Sequence, residues 1–158
     1  MEMNLADELL NTFDSNTWLL NRLVADVSHA ESLQSPQAMI NCMNWIVGHI
    51  LAGRHEALDL LGSPDFWVEE KLSMYRSGST SLTDQHTAEA FEFLVEELQR
   101  SQALIATALE AIAEDQLQVV VETRRGEKPI WKHIDGLAWH ETFHVGQVDI
   151  LRAYAHGE

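Results

Sequence analysis

Apolar residues recur at steps of three and four along most of the chain, which is the spacing of one face of an α-helix. The first stripe predicts a helix from Met3 to about His29, and the second predicts one from Met43 to about Leu61, ended by Gly62. A third stripe follows a predicted N-cap at Thr83, and a fourth predicts a helix from Ile130 to about Ala155. Four long helices predict an all-α protein.

Two segments depart from this periodicity. Ser63 to Ser81 contains aromatic residues and a single glycine, Gly78, among serines and threonine, and it either covers a pocket or packs on one end of the helices. Gln116 to Pro129 contains a β-branched run and a turn, which predicts a short extended excursion before the last helix. The turn carries Arg124 and Arg125, and these either bind an anionic group of a substrate or lie in solvent.

Length and charge narrow the class of protein. The chain has 158 residues, which suits a single domain spanning 1–158. Its 10 Lys and Arg against 25 Asp and Glu give a net charge of -15, which argues against nucleic acid or an anionic membrane surface as a partner. A single cysteine, Cys42, and the absence of a signal segment or a membrane-spanning apolar run predict a cytoplasmic protein.

The candidate chemistry centres on His140 and His144, which stand four residues apart on a predicted helix. Residues at this spacing share one face, so both imidazoles can reach one metal ion, although two structural histidines would show the same spacing. His133 lies about 10.5 Å from His140 along the helix axis, which is too far for the same ion. A third ligand must come from another helix. His49 is the best candidate, because it lies mid-helix on an apolar surface.

Neighbours of these histidines suggest further roles. Gly48 leaves room for a backbone or a ligand to come close to His49, whereas His55 is turned away from His49 and is predicted to lie on the surface. Gln147, one turn beyond His144, could orient a ligand or substrate. Glu141 is either a general base, a hydrogen-bond acceptor beside the site, or a solvent-facing residue.

These residues together carry a resemblance to a known family. The run Trp45-Ile46-Val47-Gly48-His49, the run His140-Glu-Thr-Phe-His144-Val-Gly-Gln147 and the pair Leu151-Arg152 are similar to the DinB-like (DinB/YfiT) superfamily. The resemblance implies a four-helix bundle in up-down-down-up order, with the excursion before the last helix. It also implies that His49, His140 and His144 bind a divalent metal, and that the protein forms a homodimer.

The chemistry of that superfamily is varied. Its members include S-transferases that use bacillithiol or mycothiol, a mycothiol-dependent maleylpyruvate isomerase, and proteins described as metal-dependent hydrolases. The resemblance therefore implies a metal-dependent enzyme, a thiol S-transferase or a hydrolase, that acts on a small molecule. Zinc or nickel is the expected ion, and a low-molecular-weight thiol is a second expected cofactor. The alternative is a metal-binding bundle without catalysis, which would serve in stress response or ligand binding.

Two other metal-site patterns fit less well. His140-Glu-Thr-Phe-His144 matches the H-E-x-x-H pattern of zinc metalloproteases, but the extended form of that pattern needs a third histidine where Ile150 stands. A di-iron carboxylate bundle needs two Glu-x-x-His motifs. Here Glu141-x-x-His144 has only Asp26-x-x-His29 as its nearest counterpart.

Overall fold

The computed structural model describes residues 4–37, 41–63, 65–79, 82 and 87–157. Four long helices dominate this part of the chain, so the predicted all-α class is confirmed. None of the helices in these ranges is both long enough and apolar enough to span a bilayer. In chain order the elements are α1 Leu5–Val24, α2 His29–Ser32, α3 Met43–Leu60, α4 Glu69–Tyr75, α5 Phe91–Ala111, α6 Glu114–Leu117, β1 Val120–Thr123, β2 Gly126–Pro129 and α7 Ile130–His156.

The four long helices form a bundle in which α1 and α3 each pack against both α5 and α7. Side-chain contacts between the helices define their directions. Asn16 contacts Ala138 and Asp26 contacts Arg152, so residue numbers increase in the same direction along α1 and α7. Thr17 contacts Gln102 while Asn21 contacts Gln99, so residue numbers increase in opposite directions along α1 and α5. His49 contacts His144 while Arg54 contacts Glu141, so residue numbers also increase in opposite directions along α3 and α7. Helix α7 is therefore parallel to α1 and antiparallel to α3, while α5 is antiparallel to α1. This is the up-down-down-up order that the resemblance implies.

The first helix is shorter than its apolar stripe predicts. It begins after Asn4, whose side chain accepts a hydrogen bond from the Asp7 amide, and it ends at Val24 rather than near His29. A separate short helix starts where Ser28 and Glu31 form a capping box, in which each side chain accepts from the other's backbone N–H. The apolar periodicity continues across this break, which is why it does not reveal the end of α1.

The connection after α3 is more regular than predicted, because it contains α4. Its aromatic residues Phe66, Trp67 and Tyr75 are buried against the bundle. The predicted N-cap at Thr83 lies outside the described residues, and α5 starts at Phe91.

The predicted excursion before the last helix is confirmed as a two-stranded antiparallel hairpin, with Thr123 opposite Gly126 at its turn. Gly126 has a φ of +92°, a conformation that side chains other than glycine rarely adopt. His133, on the first turns of α7, lies 3.2 Å from the carbonyl oxygen of Val121 through Nε2, which ties the hairpin to the bundle. The hairpin thus holds its turn residues, Arg124 and Arg125, over one end of the α3–α7 groove.

Gly48 allows the ring of Tyr75 to pack directly on the backbone of α3. A Cβ at position 48 would lie 2.1 Å from Cδ1 of Tyr75, far inside van der Waals contact. The ring cannot move freely, because Tyr75 is fully buried and its hydroxyl donates to Asn44 and accepts from the Glu89 amide. The sequence suggested a close approach by a backbone or a ligand at this position, and the structure places an aromatic side chain there.

We therefore expect Gly48→Ala to lower the free energy of unfolding by about 1–3 kcal/mol, as overpacking of a rigid core does. Gly53→Ala is the matched control on the same helix, since its Cβ would meet nothing nearer than Leu137 at 4.0 Å. The free energy of unfolding of Gly53→Ala should rise by about 0.5–1 kcal/mol, because alanine has a higher helix propensity than glycine. Urea unfolding of both variants measures the difference. Equal stabilities would contradict the packing account.

Candidate metal centre

Three histidines from two helices meet in the groove between α3 and α7. The possible ligand atoms of His49, His140 and His144 all lie within 4.8 Å of one another, and Nε2 of His140 lies 3.1 Å from Nε2 of His144. His49 and His144 are buried, with 7% and 8% of their surface exposed, whereas His140 is half-buried. The three histidines predicted from the sequence are thus brought together, and His133 is bound to the hairpin instead.

Hydrogen bonds orient two of these rings. Nδ1 of His49 lies 2.7 Å from the carbonyl oxygen of Tyr75, and this oxygen can only accept, so the proton of a neutral His49 ring stays on Nδ1. Nδ1 of His144 lies 2.6 Å from Oε1 of Gln147 and donates to it in the same way. Both rings therefore present an Nε2 lone pair to the centre of the cluster. Trp45 stacks on His49 with the ring centroids 4.6 Å apart and fixes its plane.

The cluster favours neutral imidazoles. Burial lowers the pKa of His49 and that of His144. Burial also lowers the pKa of His140, to about 4, with a further contribution from the charges that His144 and His49 would carry. Metal ions bind the neutral form of imidazole, so near pH 7 no proton has to be removed before these side chains can act as ligands.

The donor set fits a divalent metal ion. Nitrogen ligands of a tetrahedral zinc ion lie about 3.4 Å apart, given a Zn–N distance of about 2.0–2.1 Å. The Nε2 atoms of His140 and His144 are already close to that separation. At 3.1 Å, two lone pairs would repel each other unless a proton or a cation lies between them. The three histidines could therefore bind one metal ion.

Two cavities of about 450 and 580 Å³ open onto the histidines. The first runs toward the C-terminal end of α3 and is lined by Arg124 and Arg125, which both bind the carboxylate of Glu56. The second runs toward the N-terminal end of α3 and is lined by Gln147. Each of the three polar residues proposed from the sequence thus lines a cavity at the cluster.

Glu141 forms a buried ion pair that the sequence does not reveal. Its two carboxylate oxygens accept from Nε and Nη2 of Arg54 at 2.9 and 2.6 Å, and the two side chains are at most 4% exposed. Arg54 also donates to the hydroxyls of Thr17 and Ser101 and to the carbonyl oxygen of Leu98. Glu141 is therefore not solvent-facing, and its carboxylate serves the bundle core. The position of Arg54 inside the apolar stripe of α3 was the sequence signal that could have indicated a buried ion pair.

The prediction that His55 lies on the surface is wrong. The residue is half-buried, and its Nδ1 accepts a hydrogen bond from the backbone N–H of Trp67 at 3.2 Å. The segment before α4 covers His55, which the helical angle alone does not predict. His55 lines the same cavity as Arg124 and Arg125.

The family model of the DinB superfamily matches residues 12–148. The chain belongs to the DinB superfamily. This DinB protein also matches the crystal structure of a conserved protein from Enterococcus faecalis with a TM-score of 0.76 and 18% identity, over 99% of this chain and 100% of that one. At that identity the likeness supports the fold alone. No curated protein matches the sequence.

The ion pair between Arg54 and Glu141 leads to a prediction about stability. Glu141→Gln leaves a buried guanidinium without its counter-charge, which should lower the free energy of unfolding by about 3 kcal/mol. Glu110→Gln, on the exposed face of α5, should change it by less than about 0.5 kcal/mol.

The double variant Arg54→Met/Glu141→Met provides the second half of this test. It removes both charges, and we expect it to be more stable than Glu141→Gln. Chemical denaturation of the four proteins measures these differences. A Glu141→Gln variant as stable as Glu110→Gln would show that the pair contributes little.

Proposed function

We propose that this DinB protein is a metal-dependent enzyme, a thiol S-transferase or a hydrolase of a small molecule, in which His49, His140 and His144 hold a divalent ion. The observation that carries the proposal is that the three-histidine cluster lies where two cavities meet. Zinc or nickel suits a ligand set of neutral imidazoles. A metal bound by three neutral ligands retains its 2+ charge and lowers the pKa of a thiol or water that reaches an open position.

The surrounding residues prepare the histidines for this role. The carbonyl oxygen of Tyr75 and the amide of Gln147 hold Nδ1 of His49 and of His144, so that Nε2 faces the shared centre. Trp45 excludes water from one face of His49. These contacts position the ligands before an ion arrives, which reduces the entropy lost on binding.

A low-molecular-weight thiol is the proposed second reactant. Both cavities open onto His49 and His140, so a thiol and an electrophile have access to the cluster, as a transfer reaction requires. Hydrolysis requires access for a substrate and water. The arrangement therefore fits both reactions.

The general-base role of Glu141 stays a prediction. Both oxygens of its carboxylate accept hydrogen bonds from Arg54, so the carboxylate is held in the core and does not face the histidines' shared centre. This geometry favours a positioning role, in which Glu141 holds the helix that carries His140 and His144. The engagement of Glu141 by Arg54 also favours the alternative function, a metal-binding bundle without catalysis, because it leaves the site without this candidate base.

The metal site predicts a defined result from elemental analysis of untagged protein. Wild type should contain about one divalent ion per chain, and His49→Ala and His144→Ala should lose it while circular dichroism shows an unchanged helix content. His156→Ala, near the C-terminal end of α7, is the control and should keep its metal. Stoichiometric metal in either site variant would refute the ligand assignment. Metal without turnover, in a screen of small thiols with electrophiles and of esters and amides, would favour the alternative.

We propose further that the protein forms a homodimer through an exposed stripe on α7. Trp139, Phe143 and Tyr154 are 48–69% exposed and lie within about 60° of arc at 100° per residue, whereas Ile150 lines the second cavity. Several large exposed apolar side chains on one helix face are unusual on a monomer.

Sedimentation of the purified protein should therefore show a dimer. Trp139→Ser/Tyr154→Ser should shift it toward monomer, whereas Val68→Ser, an equally exposed apolar position outside the stripe, should not. A wild-type monomer at micromolar concentration would rule this interface out.

A further inference from the structure

The two cavities at the histidine cluster differ in chemistry. They share His49, Ser77 and His140, so the cluster lies at their junction, and each volume falls in the range of small-molecule sites. The first cavity is lined by the C-terminal half of α3 and by the hairpin turn, whereas the second is lined by the N-terminal part of α3 and the C-terminal half of α7, so the two extend in opposite directions along the groove. A molecule bound across the cluster would meet a different wall at each end.

The wall toward the hairpin carries positive charge. Arg124 Nη2 and Arg125 Nη1 lie 3.1 and 2.8 Å from the two oxygens of Glu56, so one carboxylate is shared by two guanidinium groups. The trio of Arg124, Arg125 and Glu56 has a net charge of +1 in a protein whose net charge is -15. The side chains of Arg124 and Arg125 are 63% and 31% exposed, and each has five N–H donors in a planar fork.

The two arginines lie close to the cluster. Arg124, Arg125 and Glu56 line the same cavity as His49 and His140. A group bound to the arginines therefore lies in the cavity that opens onto the histidines.

The opposite wall is mainly apolar. Trp45 and Ile46 from α3 face Ile150 and Leu151 from α7 across the second cavity. Ile150 is 69% exposed, so part of this apolar surface is open to a ligand. The polar residue Gln147 stands between this wall and the histidines, where it already holds His144.

We propose that the substrate is an amphipathic carboxylate, with its carboxylate on Arg124 and Arg125, its apolar end against Ile46 and Ile150, and its reactive part over the histidines. The position of the reactive part rests on the proposed function, whereas the two binding walls do not. A carboxylate suits the planar donors of arginine, and its single charge matches the net +1 of the trio. The charge of a phosphate dianion is larger than the net +1 of the trio can balance. The excess negative charge would lie in the same cavity as the acidic residue Asp59 and would be repelled by it.

The test measures binding of a series of phenylalkanoates, from phenylacetate to phenylhexanoate, and of their neutral amides, by calorimetry at fixed ionic strength. We expect at least one acid to bind wild type about ten-fold or more tighter than its amide. Arg124→Gln/Arg125→Gln should abolish that preference and leave amide binding unchanged. Ile150→Ser should weaken the acid and its amide alike. The charge control is Arg22→Gln/Lys132→Gln, which removes two exposed cations elsewhere and should bind like wild type.

A second arm separates this inference from the metal proposal. The same titrations in His144→Ala test the arginine wall without relying on an intact ligand set, and the acid-over-amide preference should persist there. If wild type and every variant lacked metal but the acid-over-amide preference persisted, the metal proposal would be disproved and the carboxylate site supported. The carboxylate site would be overturned if the acid-over-amide preference survived in Arg124→Gln/Arg125→Gln or vanished in His144→Ala. It would also be overturned if wild type showed no such preference or bound none of the acids.

Discussion

The bundle depends on one buried charge pair. Arg54 extends from α3 across the core, where it binds Glu141 of α7, Thr17 of α1, and Leu98 and Ser101 of α5. A guanidinium is too costly to bury unless its hydrogen bonds are satisfied, so all four long helices must come together in one register for the core to form. Among the described residues, no buried side-chain nitrogen or oxygen lacks a partner. Apolar packing supplies the bulk of the stability, whereas this network specifies which residues lie opposite one another.

That register assembles the histidine cluster. Glu141 is the neighbour of His140 and lies three residues before His144, and Arg54 lies five residues after His49 on the antiparallel helix. Joining Arg54 to Glu141 therefore brings His49 level with the two histidines of α7. The contact of Tyr75 with Gly48 then turns the His49 ring, because the carbonyl oxygen of the same Tyr75 holds its Nδ1. The site is held by core interactions one helical turn away from it.

The hairpin before α7 has a different role from the helices. It adds little to the core, but it carries Arg124 and Arg125 to the groove beside the cluster, where Glu56 of α3 meets both. An extended turn can project side chains over a groove from a direction that the four helices cannot supply. The result is a cleft with a positive end and an apolar end, with the histidines between them.

The sequence alone predicted the helical architecture and the three candidate ligands. Helix periodicity, the spacing of His140 and His144, and the position of His49 in the middle of an apolar helix are all local properties. The resemblance to the DinB superfamily implied the same three histidines and the helix order, and the contacts between helices agree with that order. Only the tertiary structure decided what depends on contacts between distant residues. The pairing of Arg54 with Glu141, the hydrogen bond from the Trp67 backbone N–H to His55 and the packing of Tyr75 on Gly48 each join residues from different parts of the chain. Helix ends such as Val24 also required the structure, since the capping box of Ser28 and Glu31 starts a separate helix without interrupting the apolar pattern.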